Sequence, residues 1–536
     1  MASDELSKVA LQQGNQLPYL FSDVDVAAVH RSIAQHEHVM ASLDLEMEKH
    51  MQIIRQLQHK KEQHLAQIRH CKGMITLAKQ LPLEILAFIF EECVRDGWTK
   101  TPILVSSVCS SWRKAAFTPT VWAHVYVSLD SQDPRRRTQL WLERSQAAPL
   151  VIHLEIGTDT SRLISIMEML IEDAGRWKEF TIKSTLLHPV DQILQTWSAP
   201  MLQLCSVNIA IDQELQPSDP QANENAGQLF AFRHAVLNAP NLRKIRFERN
   251  LLPTPDTLPP CITHLTLTLP SLRVHTQQST LSLLRVLEGL TYLETLLIEV
   301  PIPSMDQQVF DLESVQEVEI ILPNLTSLTM MGARRIFGLL PHMKLPALNE
   351  INLRSSLEAV HTEETNGWLI RFFETTSHSL VSLEIRDLPL EETTYSQITS
   401  HLPSLRCLRL HDCDISDEAL LQMSGSEGRC PSLEYLDLRW CGRLSGQALV
   451  EVVRDRMSRY GDIKSILEVT VINCSFVKEE DILNMAEFTT CRLVHRGSQD
   501  FCYSWGCCEN MRYRKRFRQR LPFHKDRQAR LCLILG

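Results

Sequence analysis

The sequence predicts a multidomain α + α/β protein with a long N-terminal helix, a short helical unit and a repeat solenoid of parallel strands. Three observations predict this fold class. Apolar residues recur every seven positions between residues 26 and 78. Two apolar stripes at helical spacing follow between residues 81 and 127, and a Leu-x-x-Leu-x-Leu pattern then recurs many times. A chain of 536 residues is also too long for one core, so several structural units are expected.

The composition is that of an ordinary globular protein. Hydrophobic residues make up 44% and charged residues 22%, with a net charge of -9. A mildly acidic chain is not typical of a general nucleic-acid binder. No stretch is apolar for long enough to cross a bilayer, and the N-terminus lacks the pattern of a secretory signal. We interpret the 15 scattered cysteines as reduced thiols of a cytoplasmic or nuclear protein.

Residues 24–80 form a predicted coiled-coil-like helix that follows a disordered N-terminus over residues 1–23. Two columns at heptad spacing predict self-association through residues 26–78, because such a seam must be covered by a second helix. The alternative is one amphipathic helix folded back on its own chain. The columns are Val26, Ile33, Met40, Met47, Ile54, Lys61, Ile68 and Ile75, and Val29, His36, Leu43, His50, Leu57, His64, Cys71 and Ala78.

The histidines of the second column allow two interpretations. His36, His50 and His64 alternate with better apolar residues. A metal-binding or pH-sensing role is one interpretation. Histidines at such positions are more often partly solvated members of a seam, and we favour that interpretation.

Residues 81–127 contain two apolar helix faces. Pro82 suits the first turn of a helix, where its missing N–H is not needed. Ile85, Leu86, Ile89 and Phe90 then share one helix face. Val105, Val108, Cys109 and Trp112 form a second stripe. Pro119 closes the unit, and Trp122 lies just beyond it.

The order and spacing of these residues resemble the F-box. The matching positions are Leu81-Pro82, Ile85-Leu86, Ile89-Phe90, Val108-Cys109, Trp112-Arg113 and Trp122. The link over residues 91–101 departs from the family pattern, since it is polar and lacks the usual Leu-Pro. The resemblance implies a three-helix unit that binds the Skp adaptor of a Skp–cullin–F-box ubiquitin ligase and, through it, the cullin.

The resemblance also implies a set of adaptor-binding residues. A few buried apolar anchors can carry such an interface. The alternative is a plain helical hairpin packed on the solenoid. The implied residues are Leu81, Pro82, Ile85, Leu86, Ile89, Phe90, Val108, Cys109 and Trp112.

After a junction at residues 128–147, the chain repeats itself over residues 148–489. In each repeat, the two apolar residues at spacing two are predicted to point inward from a short strand, and a helix such as the one expected over 417–423 closes the unit. The clearest copies are Leu405-Leu408-Leu410-Cys413, Leu433-Leu436-Leu438-Cys441 and Ile466-Val469-Val471-Cys474. Fainter copies begin at Leu202, Leu242, Ile262, Leu293, Leu325, Leu348 and Leu380, and an earlier one at Trp177.

These irregular repeats resemble the cysteine-containing class of leucine-rich repeats. The resemblance implies that Cys413, Cys441 and Cys474 pack inside the turn after each strand. A metal site is the alternative, but one cysteine per repeat favours buried structural thiols. The order of segments resembles the large F-box family of mushroom-forming fungi.

Residues 490–536 form a basic tail that we predict to be poorly ordered. A nucleic-acid contact, a nuclear-import signal and a solvated tail all fit this segment. Cys502, Cys507, Cys508 and His524 match no zinc module. The basic residues of the tail are Arg512, Arg514, Lys515, Arg516, Arg518 and Arg520.

No catalytic motif is recognisable in the sequence. Phosphate loops, nucleophile elbows and HExxH or paired CxxC motifs do not occur. We therefore expect an adaptor subunit without cofactor or metal that recruits an unknown protein substrate to the ligase. The alternative is a repeat scaffold that binds a protein or nucleic acid outside any ligase.

Overall fold

A computed structural model describes most of the chain. By contact density, the chain divides into a first unit, Met1–Leu86, and a second unit, Ala87–Gly536. The described residues are 26–74, 81–157, 159–197, 199–211, 231–237, 239–248, 258–269, 280–300, 318–332, 334–355, 363–376, 379–388, 390–424, 429–457, 463–474, 476–494 and 532–534. The predicted disordered N-terminus, Ile75 and Ala78 of the heptad columns, and the basic tail residues from Arg512 to Arg520 lie outside them.

A single long helix, α1 (Val26–Met74), occupies the described part of the first unit before residue 81. This confirms the predicted N-terminal helix. Every side chain between Ala27 and Arg69 is exposed, including the apolar side chains of both heptad columns. Pairing of the helix as a coiled coil stays a prediction.

Four short helices follow: α2 (Leu83–Arg95), α3 (Thr101–Ser106), α4 (Ser110–Ala116) and α5 (Pro119–Trp122). Gly97 ends α2, because its φ of 95° is in the left-handed region that glycine adopts without strain. The amide of Trp98 donates to the Cys93 carbonyl at 3.1 Å and that of Gly97 to Val94 at 3.0 Å. These are the bonds of a Schellman motif. Prolines then occupy the first turns of α3 and α5.

One parallel sheet dominates the second unit. Fifteen described strands belong to it, and neighbours along the sheet follow the order of the chain. All pairs are parallel except the last, β16 with β17. The strands are β1 (His124–Ser128), β2 (Leu150–Ile156), β3 (Trp177–Ser184), β4 (Ser206–Ile211), β5 (Lys244–Glu248), β6 (His264–Thr268), β7 (Thr295–Val300), β9 (Ser327–Gly332), β11 (Glu350–Ser355), β12 (Ser382–Arg386), β13 (Cys407–His411), β14 (Tyr435–Arg439), β15 (Glu468–Ile472), β16 (Thr490–Val494) and β17 (Cys532–Ile534). A separate parallel pair joins β8 (Ile320–Ile321) to β10 (Met343–Lys344).

Helices connect most successive strands and contact the helices of neighbouring repeats. Ser416 begins one of them, since its hydroxyl accepts a hydrogen bond from the Ala419 amide at 3.2 Å. The described helices are α6 (Pro134–Ser145), α7 (Leu163–Ile171), α8 (Leu187–Gln195), α9 (Phe232–Leu237), α10 (Thr280–Glu288), α11 (Glu363–Thr376), α12 (Glu392–Ser400), α13 (Asp417–Leu421), α14 (Gly446–Met457) and α15 (Glu479–Ala486). Short 3-10 helices cover Ala174–Arg176 and Arg334–His342.

The register of the sheet follows the repeated apolar pattern. Leu408 of β13 is opposite Leu436 of β14, and Leu410 is opposite Leu438. The alternating residues of each strand are buried on one face and half-exposed on the other. Together with the N-terminal helix, this confirms the predicted α/β solenoid of parallel strands.

The turns after strands β12 to β15 repeat the same conformation. The residue following each strand has a φ between 53° and 60°, namely Asp387, Asp412, Trp440 and Asn473. Aspartate and asparagine tolerate this left-handed conformation better than most residues. In the last three of these turns, the next residue is a buried cysteine.

The thiols of these three cysteines form hydrogen bonds between neighbouring repeats. The thiol of Cys413 donates to the Ile385 carbonyl at 3.4 Å, and that of Cys441 to Leu410 at 3.5 Å. Cys474 donates in the same way to Leu438 at 3.6 Å. Each thiol thus reaches the strand of the preceding repeat, and burial raises the pKa of Cys413. The cysteines pack inside the turns, as the repeat resemblance implies.

The sheet is longer than the sequence pattern indicates at both ends. Strand β1 lies within the segment predicted as the end of the helical unit, and it pairs with β2. Strand β16 begins at Thr490, where we expected the tail, and it pairs with β15. Both strands keep the repeat spacing, but an aromatic residue, Trp122 or Phe488, stands at the leading position in place of leucine.

A buried arginine holds the last repeats together. Arg456 of α14 is 2% exposed. Its guanidinium donates at 2.8 to 3.2 Å to five backbone carbonyls, those of Met423, Cys430, Pro431, Leu433 and Lys464. Burial lowers its pKa, but a guanidinium stays protonated in proteins. Its hydrogen bonds therefore offset the cost of removing the charge and the carbonyls from water.

We expect Arg456→Met to lower the free energy of unfolding by roughly 3 kcal/mol or more, because buried carbonyls lose their donors. Arg456→Lys should cost less, since it keeps the charge but reaches fewer carbonyls. Exposed Arg454 on the same helix is the matched control, and Arg454→Met should cost less than about 1 kcal/mol. Urea denaturation measures all three, and equal losses for Arg456→Met and Arg454→Met would contradict this role.

Candidate functional site

The implied adaptor-binding residues differ in their exposure. Leu86 and Phe90 are each 2% exposed. We therefore expect these two side chains to support the docking surface from within the fold, rather than face a partner as the resemblance implies. Leu81, Cys109 and Trp112 are half-buried. Pro82, Ile85, Ile89 and Val108 are exposed.

The exposed positions include large apolar side chains. Ile85 is 46% exposed and Ile89 is 41% exposed. They lie four residues apart in α2, a spacing that places side chains on one helix face. Burial of such side chains against a partner lowers the free energy of the complex.

Further exposed apolar side chains lie nearby in sequence in the second unit. We call Phe88, Ile89, Ile103, Leu104 and Val108 the apolar docking set. All five are exposed within a span that covers α2, α3 and the turn before α4. Exposed apolar residues of the solenoid, such as Leu202 and Tyr292, are spaced more widely along the chain.

Three members of this set were missed from the sequence. Phe88 lies inside the apolar run LAFIF, and Ile103 and Leu104 lie in PILV. Because both faces of these short helices carry apolar residues, helical spacing alone did not distinguish the buried face from the exposed one. The continuous apolar runs are the signal that more than one face is apolar.

Buried aromatic residues hold the helical segment in place. The rings of Phe90 and Trp112 have centroids 5.1 Å apart, and the Arg113 guanidinium donates to the Ser106 carbonyl at 2.8 Å. The indole of Trp122 donates to the Ala116 carbonyl at 2.6 Å and packs edge-on against Trp141 at 5.0 Å. The segment is thus anchored to the first helix of the solenoid while the apolar docking set stays exposed.

The open face of the sheet is the second candidate surface. Its residues alternate with the inward apolar residues along each strand. On strands β11 to β14, this face carries Arg354, Arg386, Arg409 and Arg439, with His411 between them. We call these five residues the arginine cluster. Register pairs Arg354 with Arg386, Arg386 with His411, and His411 with Arg439 across these strands.

Carboxylates accompany the arginine cluster. Glu384 lies 2.7 Å from Arg386 and 3.8 Å from Arg409. Asp437 accepts two hydrogen bonds from Arg439, at 2.8 and 2.7 Å. The open face at these strands is therefore strongly charged with both signs, which suits a polar protein target better than an apolar one.

His411 lies at the centre of the cluster. Burial and, after it, the neighbouring guanidiniums of Arg386, Arg439, Arg409 and Arg354 together lower its pKa to about 2. Its nearest carboxylate oxygens, on Glu384 and Asp437, are each 3.8 Å from a ring nitrogen. The imidazole is therefore neutral at physiological pH.

The sequence offers a signal for this cluster that we did not use. Charged residues recur between or after the inward apolar residues in LEIR, LRLH and LDLR. Their convergence depends on strand register, since neighbours across the sheet are separated by roughly one repeat in sequence.

The described part of the chain contains neither a candidate metal-binding group nor a membrane-spanning helix. Among the residues that the structure describes, no group of three or more His, Cys, Asp or Glu side chains could hold a metal ion. None of the described helices combines the length and the hydropathy needed to span a bilayer. Cys502, Cys507, Cys508 and His524 lie outside the described residues.

Comparison with known proteins gives similarities to solved structures but no match by sequence. No protein-family model matches the chain, and no curated protein matches it by sequence. A chain from the crystal structure of the Rad7 and Elc1 complex in yeast matches with a TM-score of 0.34 and 14% sequence identity. The match covers 63% of this chain and 76% of that chain. At this level of similarity we draw neither fold nor function from it.

We expect His411 to make the stability depend on pH. The unfolded chain binds a proton near pH 6.5, whereas the folded chain binds it only near pH 2. The contribution of the neutral imidazole to the free energy of unfolding is therefore fully present above pH 6.5 and is lost as the pH falls below that value. Between pH 6 and 4, the free energy of unfolding of the native chain should fall by about 1.4 kcal/mol per pH unit more than that of the His411→Gln variant. Urea denaturation at each pH measures both. Parallel pH profiles for the two chains would contradict the buried neutral imidazole.

Proposed function

We propose that this protein is a substrate-recruiting subunit of a Skp–cullin–F-box ubiquitin ligase. In this proposal, residues 81–127 bind the Skp adaptor and, through it, the cullin, while the repeats bind a protein target. The observation that carries the proposal is the exposure of Ile85, Ile89 and Val108, three apolar positions of the F-box resemblance.

Exposed apolar side chains at these positions support an interface. Each isoleucine or leucine that a partner covers contributes roughly 1.5–3 kcal/mol when buried fully. A few such anchors account for most of the free energy of many protein interfaces. The apolar docking set adds Phe88, Ile103 and Leu104 to the motif positions.

A different interpretation makes the helical segment a cap of the solenoid. A cap would bury its apolar face within its own chain. Trp122 and Val121 are buried in this way, but the apolar docking set is not. The exposed set favours a partner over a cap.

The repeats supply the target-binding part of the proposal. The open face of strands β11 to β14 carries the arginine cluster and its carboxylates, which offer directional contacts to a protein surface. In this account the chain itself performs no chemistry. It raises the effective concentration of a bound target near a transferase elsewhere in the complex.

A scaffold that binds the adaptor outside any ligase is the second candidate. It uses the same apolar docking set, so binding of the adaptor alone does not distinguish the two. Recovery of the cullin in the same complex does, because only the ligase subunit requires it. A nucleic-acid role for the basic tail involves residues outside those described.

We expect the native chain to copurify with the Skp adaptor and the cullin, and an Ile85→Asp, Ile89→Asp variant to lose both. Because both side chains are exposed, the variant should keep its fold, which thermal melting checks. Burying two aspartates in an apolar interface should weaken adaptor binding by at least about 100-fold. Titration with purified adaptor measures the loss.

A Leu202→Asp, Ile321→Asp variant is the matched control. Both residues are exposed apolar side chains of the solenoid, so the control adds the same charges away from the helical segment. It should bind the adaptor like the native chain. Equal binding by the native chain and the Ile85→Asp, Ile89→Asp variant would contradict the proposal, as would failure of the native chain to bind adaptor.

A further inference from the structure

Helix α1 presents an apolar face of exposed side chains. Ile33, Leu43, Ile54 and Leu57 are exposed, as are Val29, Met40, Met47 and Ile68 of the same heptad columns. A 49-residue helix of mixed composition gains most of its stability in water by packing its apolar stripe against a partner. The partner must present a complementary stripe of similar length.

A second copy of α1 is such a partner, and the charges of the helix indicate its direction. Residues 26–49 carry four carboxylates and two cations, a net charge of -2. The carboxylates are those of Glu37, Asp44, Glu46 and Glu48, and the cations are Arg31 and Lys49. This half of the helix is therefore acidic.

The other half of α1 has the opposite charge. Residues 50–74 carry five cations and one carboxylate, a net charge of +4 with histidine neutral. The cations are Arg55, Lys60, Lys61, Arg69 and Lys72, and the carboxylate is Glu62. An antiparallel pair places each acidic half beside a basic half, whereas a parallel pair places like charges together.

The seam residues favour the same direction. In a parallel, in-register pair, Lys61 faces Lys61 of the second copy, and each seam histidine faces its own counterpart. The flanking heptad positions then bring together Val39 with Asp44 and Lys60 with Leu65, and they form no pair of opposite charges. Flanking charges normally set the orientation of such helices, and here they give a parallel pair no support.

An antiparallel pair removes the contacts between identical seam residues. In the register that overlaps Val26 with Cys71, Leu43 of one copy lies opposite Ile54 of the other. Lys61 then lies opposite His36, whose neighbour in sequence is Glu37. The seam therefore avoids the contact between identical lysines.

We propose that α1 pairs with α1 of a second copy of this chain as an antiparallel coiled coil in this register. The C-terminal ends of the two helices then lie about 70 Å apart, at 1.5 Å per residue. The pair depends on charge complementarity, so its affinity falls as ionic strength rises. This inference does not depend on the proposed ligase function.

Disulfide formation between engineered cysteines tests the direction. Two differently tagged copies of the full chain are coexpressed, one carrying Leu43→Cys and the other Ile54→Cys, and then oxidised. We expect a disulfide between the two tags that is at least tenfold more abundant than with Leu43→Cys on both copies. Native chains with both tags report the background from Cys71 and the other natural cysteines.

Two results would overturn the proposal. One is a preferred disulfide between two copies of Leu43→Cys, which indicates a parallel pair. The other is the absence of a disulfide above background together with a monomeric mass by light scattering across a wide range of concentration.

A matched pair of leucine variants tests the seam itself. Leu43 is 54% exposed and belongs to the seam, whereas Leu45 is 62% exposed and points away from it. Leu43→Asp should weaken dimerisation at least tenfold, and Leu45→Asp should leave it unchanged. Equal effects of the two substitutions would overturn the proposed seam even if the chain dimerises.

Discussion

The parallel ladder of strands is the interaction on which the second unit depends. Each repeat contributes one short strand, and a strand of five or six residues cannot bury both its apolar side chains and its backbone amides alone. The neighbouring strands supply the hydrogen bonds, and the stacked leucines supply the core. Because every repeat depends on its neighbours, the ladder continues without interruption from β1 to β16.

The turns that follow strands β12 to β15 support the ladder in its C-terminal repeats, where the pattern is most regular. The left-handed residue after each of strands β12 to β15 redirects the chain, and a buried thiol then reaches back to the preceding repeat. Arg456 also links neighbouring segments of these repeats, since it donates to the carbonyls of Met423 and Cys430 in the connection between α13 and β14. Backbone polar groups that leave the sheet must find such donors, because a buried carbonyl without one is costly.

Much of this architecture could be predicted from the sequence. Inward residues such as Leu408, Leu436 and Val469 keep a constant internal spacing, and the structure aligns them in register. Strand β1 was missed because its leading apolar residue, Trp122, was assigned to the helical motif, so Val125 and Val127 were not recognised as a repeat. A pattern that alternates over only five residues is too short to be distinguished from its surroundings.

The candidate surfaces were only partly predictable. The motif identified the helical segment, but burial of Phe90 and exposure of Phe88 depend on how α2 packs, which spacing alone does not determine. The arginine cluster depends on contacts between residues of different repeats. Charge patterns within one helix, as in α1, can be interpreted more directly, since heptad spacing fixes which residues share a face.

The chain combines a core that buries most of its own apolar residues with surfaces left for partners. The solenoid buries most of its large apolar residues within itself, whereas α2, α3 and α1 keep several of theirs exposed. In a chain that folds by burying apolar surface, side chains left exposed in this way indicate interfaces. The proposed ligase function rests on the adaptor-binding surface.

Amide hydrogen exchange of the full chain, with and without saturating Skp adaptor, measures whether this surface binds the adaptor. We expect slower exchange over residues 83–108, with exchange in the strands of the sheet unchanged. Protection confined to the strands, or no change at saturation, would contradict this expectation.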